Sequence, residues 1–485
     1  MAVVSGALWG VSSLAVTGAT SAQAAPTASG AGAAASPWGK PIEVPGLGAL
    51  NKGNSAFITS ISCVSAGNCA AAGSYAVQFA SAQGFVVSEK NGRWGKAIEL
   101  PGLASLNKND QLLNISVSCG TAGNCAAAGS DLGGRDGSHT FIANENNGTW
   151  GKAIPVRGLA ALAPKGSSGL TSLSCGPGRN CTAGGWYAAG PGTKSFHTRS
   201  FVVSERNGHW GQAMTVPGLD KLDANGFGTL QALSCASAGN CSAGGAYTLG
   251  GTHDQNGFVV NEKNGKWGKA IAVPGLSALN SSGEAEVDEI SCGSAGNCVA
   301  GGTTDSPTEQ AFVVREKNGI WGKAIVVPGL KALNTGELAS VQSISCVSPG
   351  NCAVGGTFEG DGIQGYVISE KNGTWGKAIE IPNLATLNRG ADVDIVEVSC
   401  ASAGNCAAGG EYNLSGSNDS LTQAFVASEN KGVWGKATQL PGLNTLNFGS
   451  SAINAISCPA SGHCAAGGSY DDRSGSTQGF AVNQK

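Results

Sequence analysis

The chain has 485 residues and a net charge of −3, and only 13% of its residues are charged. No run of five Lys or Arg residues occurs, so the sequence lacks the basic patch or stripe that a nucleic-acid partner requires. The 77 Gly residues alone would suggest low complexity. The hydrophobic fraction of 41% and the periodicity described below nevertheless exclude a disordered chain.

The N-terminal segment predicts an export signal followed by a linker. Residues 2–18 are mostly apolar and small, and the A-Q-A sequence at 22–24 is a small-x-small cleavage site, although no Lys or Arg precedes the apolar run. The run is too short and too rich in Gly and Ser for a membrane span, which needs about 18 apolar residues. We expect a signal peptide at 1–24, a linker at 25–36 and a secreted mature chain without a membrane span.

The cysteines mark eight copies of one repeat. Every pair has the spacing C-x5-C, and successive pairs lie 54 to 60 residues apart, a period typical of solenoids, propellers and arrays. The pairs lack histidine partners, which makes zinc a poor fit. Each pair flanks a hairpin loop in a chain bound for an oxidising compartment, so we expect eight local disulfides. The expected disulfides join Cys63 to Cys69, Cys119 to Cys125, Cys175 to Cys181, Cys235 to Cys241, Cys292 to Cys298, Cys346 to Cys352, Cys400 to Cys406 and Cys458 to Cys464.

Within each repeat the sequence predicts four strands in two hairpins. The first hairpin runs through S-I-S-C, a turn such as S-A-G-N, and C-A-A-G-G. A strand such as GFVVSE follows, and an Asn-Gly turn, the strongest short hairpin signal, leads to a strand such as WGKAIEL that ends at Pro. The third strand begins at an aromatic residue and the fourth at Trp. These residues are Phe85, Phe141, Phe201, Phe258, Phe312, Tyr366, Phe425 and Phe480, and Trp94, Trp150, Trp210, Trp267, Trp321, Trp375 and Trp434.

The two ends of the chain predict ring closure. The last repeat stops after GFAVNQK and lacks its own Trp strand, whereas an unpaired Trp strand begins at Trp38. This strand would complete the last blade beside Phe480 and leave no long exposed sheet edge. An open array would instead need polar caps at both ends. We therefore predict an all-β fold: one eight-bladed β-propeller over residues 37–485, with four antiparallel strands per blade and the last blade closed by the N-terminal strand.

The double Gly, the aromatic residue of the third strand and the Trp of the fourth resemble the kelch-type propeller repeat. The S-E-K-N-G-x-W turn resembles the Asp-box of sialidase-like propellers, with the usual Asp replaced and the turn one residue short. The whole repeat is similar to repeats of secreted actinobacterial proteins. The resemblance covers residues 38–485 and implies a propeller, but it implies no single activity, because propellers host many unrelated functions.

Catalytic residues in a repeat protein should break the repeat, and we find no recognisable constellation. The five His residues have no ligand spacing, and no unpaired Cys remains for a copper-radical site. No loop matches an EF-hand or a β-roll calcium motif, although calcium in the Asp- and Asn-rich loops is left open. We predict no catalytic residue, no metal site and no cofactor.

Three recurring residue types are predicted to be structural. The Tyr residues share one position after the Gly pair, which indicates packing rather than sialidase-type catalysis. We expect the Glu of the third strand to pair with turn N–H groups or a neighbouring Lys. We expect the Trp set to pack between blades, with sugar stacking as the alternative. The Tyr are Tyr75, Tyr187, Tyr247, Tyr412 and Tyr470, and the Glu are Glu89, Glu145, Glu205, Glu262, Glu316, Glu370 and Glu429.

The loops between the second and third strands vary in length and composition, whereas the other two hairpin turns are nearly constant. Recognition residues concentrate in variable loops on a rigid scaffold, so we predict that a ligand contacts this face. The alternative is that these loops are solvated and bind nothing. The candidate ligand-binding residues are Asp131, Arg135, Trp186, His197, Arg199, His253, Asp254, Asp361, Asp471 and Asp472.

The sequence favours a secreted, monomeric binding protein that recognises an extracellular or cell-wall polysaccharide or a cell-surface protein. A carbohydrate-active enzyme, a glycoside hydrolase or sialidase-like protein with one site over the central channel, is the second interpretation. A structural extracellular protein is the third. Eight equivalent weak sites would favour a lectin, and one site of non-repeating acidic residues would favour an enzyme.

Overall fold

In the computed structural model the chain divides into residues 1–35 and a compact unit of residues 36–485. The predicted signal peptide and linker lie outside the described residues. The structure describes residues 37–485 except 79–80, 108–110, 133–137, 165, 190–196, 224–225, 250–253, 281–282, 306–307, 390 and 415–420. The helical segments among these residues are single turns, and none could span a bilayer.

The first half of the ring starts with strand β1 (Ile42–Glu43) and continues through four blades. Blade 1 comprises β2 (Ala56–Ser65), β3 (Asn68–Tyr75), β4 (Gln83–Lys90), β5 (Arg93–Trp94) and β6 (Ile98–Glu99); blade 2 comprises β7 (Leu112–Thr121), β8 (Asn124–Asp131), β9 (His139–Asn146), β10 (Thr149–Trp150) and β11 (Ile154–Pro155); blade 3 comprises β12 (Ser168–Gly176), β13 (Asn180–Ala189), β14 (His197–Arg206), β15 (His209–Trp210) and β16 (Met214–Thr215); and blade 4 comprises β17 (Gly228–Ser237), β18 (Asn240–Thr248), β19 (Gln255–Lys263), β20 (Lys266–Trp267) and β21 (Ile271–Ala272).

The second half of the ring repeats this order in four more blades. Blade 5 comprises β22 (Ala285–Ser294), β23 (Asn297–Thr304), β24 (Gln310–Lys317), β25 (Ile320–Trp321) and β26 (Ile325–Val326); blade 6 comprises β27 (Ala339–Ser348), β28 (Asn351–Gly360), β29 (Gly362–Lys371), β30 (Thr374–Trp375) and β31 (Ile379–Glu380); blade 7 comprises β32 (Val393–Ser402), β33 (Asn405–Asn413), β34 (Thr422–Asn430), β35 (Val433–Trp434) and β36 (Thr438–Gln439); and blade 8 comprises β37 (Ser451–Ser457), β38 (Ala465–Asp471) and β39 (Thr477–Asn483).

Each blade is an antiparallel sheet in which neighbours along the chain pair with each other, as predicted. The first strands of adjacent blades pack against one another, so they line the central channel and the Trp strands lie at the outer rim. The blade order therefore places the two constant turns and the variable loops at opposite ends of the strands.

The eight predicted disulfides are confirmed. Their Cα–Cα distances are 3.9 to 4.1 Å, and in blades 1 to 7 the two cysteines are direct cross-strand partners. In blade 8 they lie just beyond the paired ends of β37 and β38. All eight staple the hairpin that faces the channel. The bonds join Cys63 to Cys69, Cys119 to Cys125, Cys175 to Cys181, Cys235 to Cys241, Cys292 to Cys298, Cys346 to Cys352, Cys400 to Cys406 and Cys458 to Cys464.

Ring closure is confirmed at the predicted position. Strand β1 pairs antiparallel with β39, placing Ile42 opposite Ala481 and Glu43 opposite Phe480, and the N–H of Gly39 donates to the Asn483 carbonyl at 2.8 Å. The N-terminal strand therefore supplies the outer edge of blade 8. Both ends of the propeller are held in one sheet.

The outer strand differs from the single strand predicted for W-G-K-A-I-E-L. In blade 1 it is divided into β5 and β6, because the N–H of Ala97 leaves the ladder and donates to the Pro45 carbonyl of the preceding blade at 2.7 Å. The equivalent bond recurs along the ring, for example from Ala153 to Pro101. A hydrogen bond between blades has replaced one within the blade.

The P-G-L segments that follow each outer strand form single helical turns, which the sequence did not predict. Each turn buries its first Leu and begins after a residue with positive φ, usually Gly. The α-helical turns are α1 (Leu47–Leu50), α2 (Leu103–Leu106), α3 (Leu159–Leu162), α4 (Leu219–Leu222) and α5 (Leu384–Asn388), and the 3-10 turns are Leu276–Ala278, Leu330–Ala332 and Leu443–Thr445.

The hydrophobic core lies between blades. One cluster joins Val86 of blade 1 to Ile115 and Phe141 of blade 2. Another joins Ala481 of blade 8 to Phe85 of blade 1, so the seam is packed like any other interface. A single four-stranded sheet has two apolar faces, and only its two neighbours in the ring can cover both.

The recurring Glu and Trp residues form a polar link across these interfaces. Glu145 of blade 2 accepts a 2.5 Å hydrogen bond from the Ser88 hydroxyl of blade 1, and the Trp150 indole N–H donates to the same hydroxyl at 3.2 Å. Equivalent Glu–donor pairs are Glu205–Asn144, Glu262–Arg206, Glu316–Asn261, Glu370–Arg315, Glu429–Ser369 and Glu89–Asn483. In blade 8 Gln484 replaces Glu and donates to Ser428 at 3.3 Å.

This geometry corrects the predicted partners of the Glu set. These carboxylates pair mainly with side chains of the preceding blade, rather than with turn N–H groups or Lys. The Trp indoles lie at the same interfaces, as expected. Because each Glu is only 1 to 4% exposed, burial raises the pKa of the carboxyl group above its usual 4.5. The raised groups are Glu89, Glu145, Glu205, Glu262, Glu316 and Glu429.

Gly245→Ala should destabilise the propeller by about 1–3 kcal/mol, the usual cost of overpacking. A Cβ at Gly245 would lie 2.0 Å from the Thr229 carbonyl oxygen, because a β-bulge after Leu230 pushes the inner strand toward it. Gly268→Ala is the control, since its nearest atom, the Asn261 oxygen, lies 3.4 Å away. Urea unfolding measures both changes, and equal stabilities would contradict the prediction.

The propeller should be less stable at pH 8 than at pH 5. Carboxyl groups whose folded pKa exceeds the unfolded 4.5 contribute stability that is complete below pH 4.5 and is lost as the pH rises through the folded pKa. Calorimetric melting between pH 5 and 8 measures the slope. The variant Glu145→Gln keeps the acceptor for Ser88 but cannot ionise, so its melting temperature should fall less steeply with pH. An unchanged slope in this variant would show that Glu145 does not contribute to the pH dependence.

Candidate functional site

The hairpin turns separate into two faces of the ring. In blade 1 the loop at 65–68 and the turn at 90–93 meet, because the N–H of Gly92 donates to the Gly67 carbonyl at 2.9 Å. We call the surface formed by these two turns and by the equivalent residues of the other blades the constant face. Residues 76–78 and 81–82 of the variable loop and the helical-turn segment at 100–107 lie at the opposite strand ends. These and their equivalents form the variable-loop face.

Asp131, a predicted ligand-binding residue, is buried at the end of the second strand of blade 2. Its Oδ1 accepts a 3.3 Å hydrogen bond from the His139 N–H and lies 3.3 Å from His139 Nδ1. Asp131 therefore connects the end of the second strand to the start of the third strand. Arg135 in the same loop, and His253 in blade 4, lie outside the described residues.

Blade 3 brings three predicted residues to one region. Trp186 is half-buried and packs on the main chain of Gly169, while His197 and Arg199 are exposed on the third strand. Burial raises the pKa of nearby Asp223, and the positive charges of Arg199 and His197 oppose that rise. This group is polar and mixed in charge.

The remaining predicted carboxylates hold loops together. Asp254, Asp471 and Asp472 each accept a main-chain N–H hydrogen bond of 2.8 to 2.9 Å within the loops of this face. Asp361 is exposed at a turn of blade 6. The described members of the predicted set therefore lie on several blades and are not gathered in one site. Their role in ligand binding stays a prediction.

The recurring Tyr residues face away from the channel. Tyr75 donates to Glu99 of the outer strand at 3.0 Å, and Tyr187 lies 2.7 Å from the Thr215 hydroxyl. The Tyr412 hydroxyl accepts a 2.8 Å hydrogen bond from the Gln439 side-chain amide of the outer strand. These phenols connect the second strand to the outer strand, which agrees with a packing role.

The inner strands contain a departure from the repeat that the sequence analysis missed. Three residues before the first Cys, six blades have a small residue, and two have Glu289 and Glu397. The six are Ser60, Ser116, Ser172, Ala232, Ser343 and Ala455. In blades 1 and 6, the residue at this position links neighbouring inner strands. The hydroxyl groups of Ser60 and Ser343 each form hydrogen bonds with the main chain of the next inner strand. Blades 5 and 7 carry carboxyl groups there instead.

Glu289 and Glu397 interact across the channel wall. Burial raises the pKa of Glu289 to about 8, and the negative charge of Glu397 contributes to the rise. Burial likewise raises the pKa of Glu397 to about 7, with a hydrogen bond from Ser343 opposing it. Near neutral pH the pair is therefore only partly ionised. Such a pair can both donate and accept hydrogen bonds.

Further carboxyl groups lie above Glu289 toward the variable-loop face of blade 5. Glu286 accepts a hydrogen bond from Gln231 and shares another with Asp288, whose pKa is well above its usual value because of burial and the nearby carboxylates. Burial, with the charges of Asp305 and Glu286, raises the pKa of Glu309 to about 7. Blade 5 thus concentrates acidic groups from the channel to its rim.

Blade 7, on the other side of blade 6, carries a second group of acidic side chains. Burial raises the pKa of Asp394 and of Glu411, and their acidic neighbours add to both shifts. Asn413 donates to Asp394 at 3.2 Å. We define the acidic sector as Glu284, Glu286, Asp288, Glu289, Asp305 and Glu309 of blade 5 with Asp392, Asp394, Glu397 and Glu411 of blade 7.

The carboxyl groups of the acidic sector can take part in hydrogen bonds. Within the described ranges, no three His, Cys, Asp or Glu side chains are grouped so that they could hold a metal ion. Shifted pKa values concentrated beside a channel are typical of binding and catalytic sites. The departure from Ser or Ala was visible in the aligned repeats, but only the fold shows that these two positions face one channel.

No family model matches this sequence, and no curated protein matches it. Among solved structures, a polysaccharide lyase of family PL25, an ulvan lyase, is 10% identical with a TM-score of 0.43, covering 83% of this chain and 96% of its own. The propeller domain of the Trilobed protease from Pyrococcus furiosus is 10% identical with a TM-score of 0.43, covering 80% and 98%. NanB sialidase from Streptococcus pneumoniae is 12% identical with a TM-score of 0.38, covering 84% and 75%. Similarity at this level assigns no activity to this chain.

Proposed function

We propose that this protein is an extracellular binding protein that recognises a carbohydrate on its variable-loop face, at the acidic sector. The observation that carries the proposal is the replacement of a small residue by Glu289 and Glu397 on two inner strands. The fold does not require these carboxyl groups, because six blades do without them. Burying acidic groups near one another destabilises the folded state, so a functional use explains their presence.

Partly protonated carboxyl groups suit sugar hydroxyls. The pKa values of about 8 for Glu289 and about 7 for Glu397 provide both donors and acceptors near neutral pH. Neutral or amino sugars fit this surface better than acidic sugars, which the ionised neighbours would repel. Eight disulfides support an oxidising, extracellular location.

An enzyme is the second candidate, and the same pair favours it. A glycoside hydrolase needs two carboxyl groups with different pKa values, one as acid and one as base or nucleophile. The raised pKa of Glu289 would suit a general acid. The sequence resemblance to Asp-box and kelch-type repeats is compatible with either function.

Titration calorimetry against a panel of neutral, amino and uronic polysaccharides tests the proposed site. We expect about one ligand segment per chain, and at least a tenfold loss of affinity in the double variant Glu289→Ser with Glu397→Ser. The control is Glu337→Ser, which removes an exposed carboxyl group from the same face. Unchanged affinity in the double variant would overturn the site, and new reducing ends that disappear with Glu289→Ser would establish hydrolysis instead.

The same double variant should be more stable than the wild type at pH 8. It removes two half-buried carboxyl groups with raised pKa values and introduces a hydroxyl that can bond to the next inner strand, as that of Ser343 does. Because the unfavourable ionisation grows with pH, the gain in melting temperature should be larger at pH 8 than at pH 5. A loss of stability at pH 8 would show that the carboxyl groups are structural.

A further inference from the structure

The outer rim of the ring carries exposed lysines whose neighbouring Glu residues in the motif are buried. Each E-K-N-G-x-W-G-K motif pairs Glu with Lys, so the repeat looks nearly neutral. The fold buries every Glu of this motif between blades, at 1 to 4% exposure, and leaves the Lys residues in solvent. These exposed lysines occupy two repeat positions, with Lys90, Lys317 and Lys371 before the turn and Lys96, Lys323 and Lys377 after the Trp.

These exposed lysines form no ion pair in the described part of the chain. The ion pairs there involve His139, Arg206 and Arg315, and the two arginines are the ones that hold interface Glu residues. The acidic sector lies elsewhere, at the channel and the variable-loop ends of blades 5 and 7. A chain with a net charge of only −3 therefore carries a ring of exposed lysines and a separate group of carboxyl groups.

Grooves cut into this cationic rim between neighbouring blades. The groove between blades 5 and 6 has a volume of about 480 Å³. Its walls include Lys317, Asn318 and Lys323, the exposed aliphatic side chain of Ile325 and the half-buried indole of Trp375. It combines ammonium groups, an amide and apolar surface in a space of ligand size.

An equivalent groove lies between blades 2 and 3, with a volume of about 550 Å³. Lys152, Ile154 and Trp210 stand where the first groove has Lys323, Ile325 and Trp375. The same repeat positions form both grooves, so the site belongs to the repeat. It does not depend on the variable loops.

We propose that the grooves between blades bind acidic sugar residues of an anionic polysaccharide. Lys323 and its equivalents would pair with the carboxylate, sulfate or phosphate of the sugar, and the exposed side chain of Ile325 would contact its apolar ring face. Several equivalent grooves on one rigid ring can engage one polymer at once, which raises avidity without strong individual sites.

A polysaccharide fits these grooves better than a nucleic acid does. Trp210 is only 8% exposed and Trp375 is half-buried, so neither presents a free ring face on which a base could stack. The wall is aliphatic beside the ammonium groups. These sites are independent of the acidic sector, and they add an anionic ligand class that the acidic sector would repel.

The test uses the oxidised protein and polygalacturonate, with fully methyl-esterified pectin as the uncharged match. The rim variant combines Lys152→Gln, Lys317→Gln and Lys323→Gln, which removes three lysines that line the two grooves. The matched variant combines Lys52→Gln, Lys221→Gln and Lys331→Gln, which removes three exposed charges from the variable-loop face. Both variants change net charge equally. We expect the rim variant to bind polygalacturonate at least tenfold more weakly, and the matched variant to bind within about twofold of the wild type.

The salt dependence provides a second readout, because the rim variant should show a shallower fall of affinity with salt. Equal losses in both triple variants would show that only net charge matters and would overturn the proposal. Binding of the esterified pectin as tight as that of the acid would also overturn it, as would equal binding of single-stranded DNA. The double variant Glu289→Ser with Glu397→Ser should keep polygalacturonate binding, so failure of the channel site is distinguishable from failure of the rim sites.

Discussion

Burial of both faces of each four-stranded sheet is the constraint on which the rest of this structure depends. Side chains such as Val86, Ile115 and Phe141 meet only where two blades pack, so no blade has a core of its own. A row of such sheets would leave two apolar faces exposed at its ends. Closing the ring through β1 and β39 removes both, and the seam then has the same packing as other interfaces.

The same interfaces decide the surface chemistry. On each of seven blades, a Glu carboxyl group next to a Trp is covered by the preceding blade. A Ser, Asn or Arg side chain of that blade donates a hydrogen bond to it. Its charge is thereby withdrawn from solvent, while the neighbouring Lys stays outside. The acidic groups that remain outside these interfaces belong mainly to the variable-loop face, above all on blades 5 and 7. A nearly neutral chain thus carries exposed lysines along its outer rim and a group of carboxyl groups on blades 5 and 7.

The two proposed sites follow from different parts of this design. Repeat positions are duplicated by symmetry, so a groove formed by Lys323, Ile325 and Trp375 has a counterpart elsewhere in the ring. Departures from the repeat are not duplicated in this way, and Glu289 and Glu397 place a single acidic site at the channel. The first arrangement suits avidity for a repetitive polymer, and the second suits recognition of one ligand segment.

The sequence by itself determined the blade count, the strand order, the disulfide pairs and the closing strand, because these rest on local signals: a C-x5-C spacing repeated eight times, Asn-Gly turns in six repeats and an unpaired strand at Trp38. It also located the constant and variable turns. It could not give the partners of Glu145 or the meeting of Glu289 with Glu397, since each joins residues of different blades. Only the tertiary structure decides which charges are buried and which positions share a channel, because burial is a property of neighbours brought together by the fold.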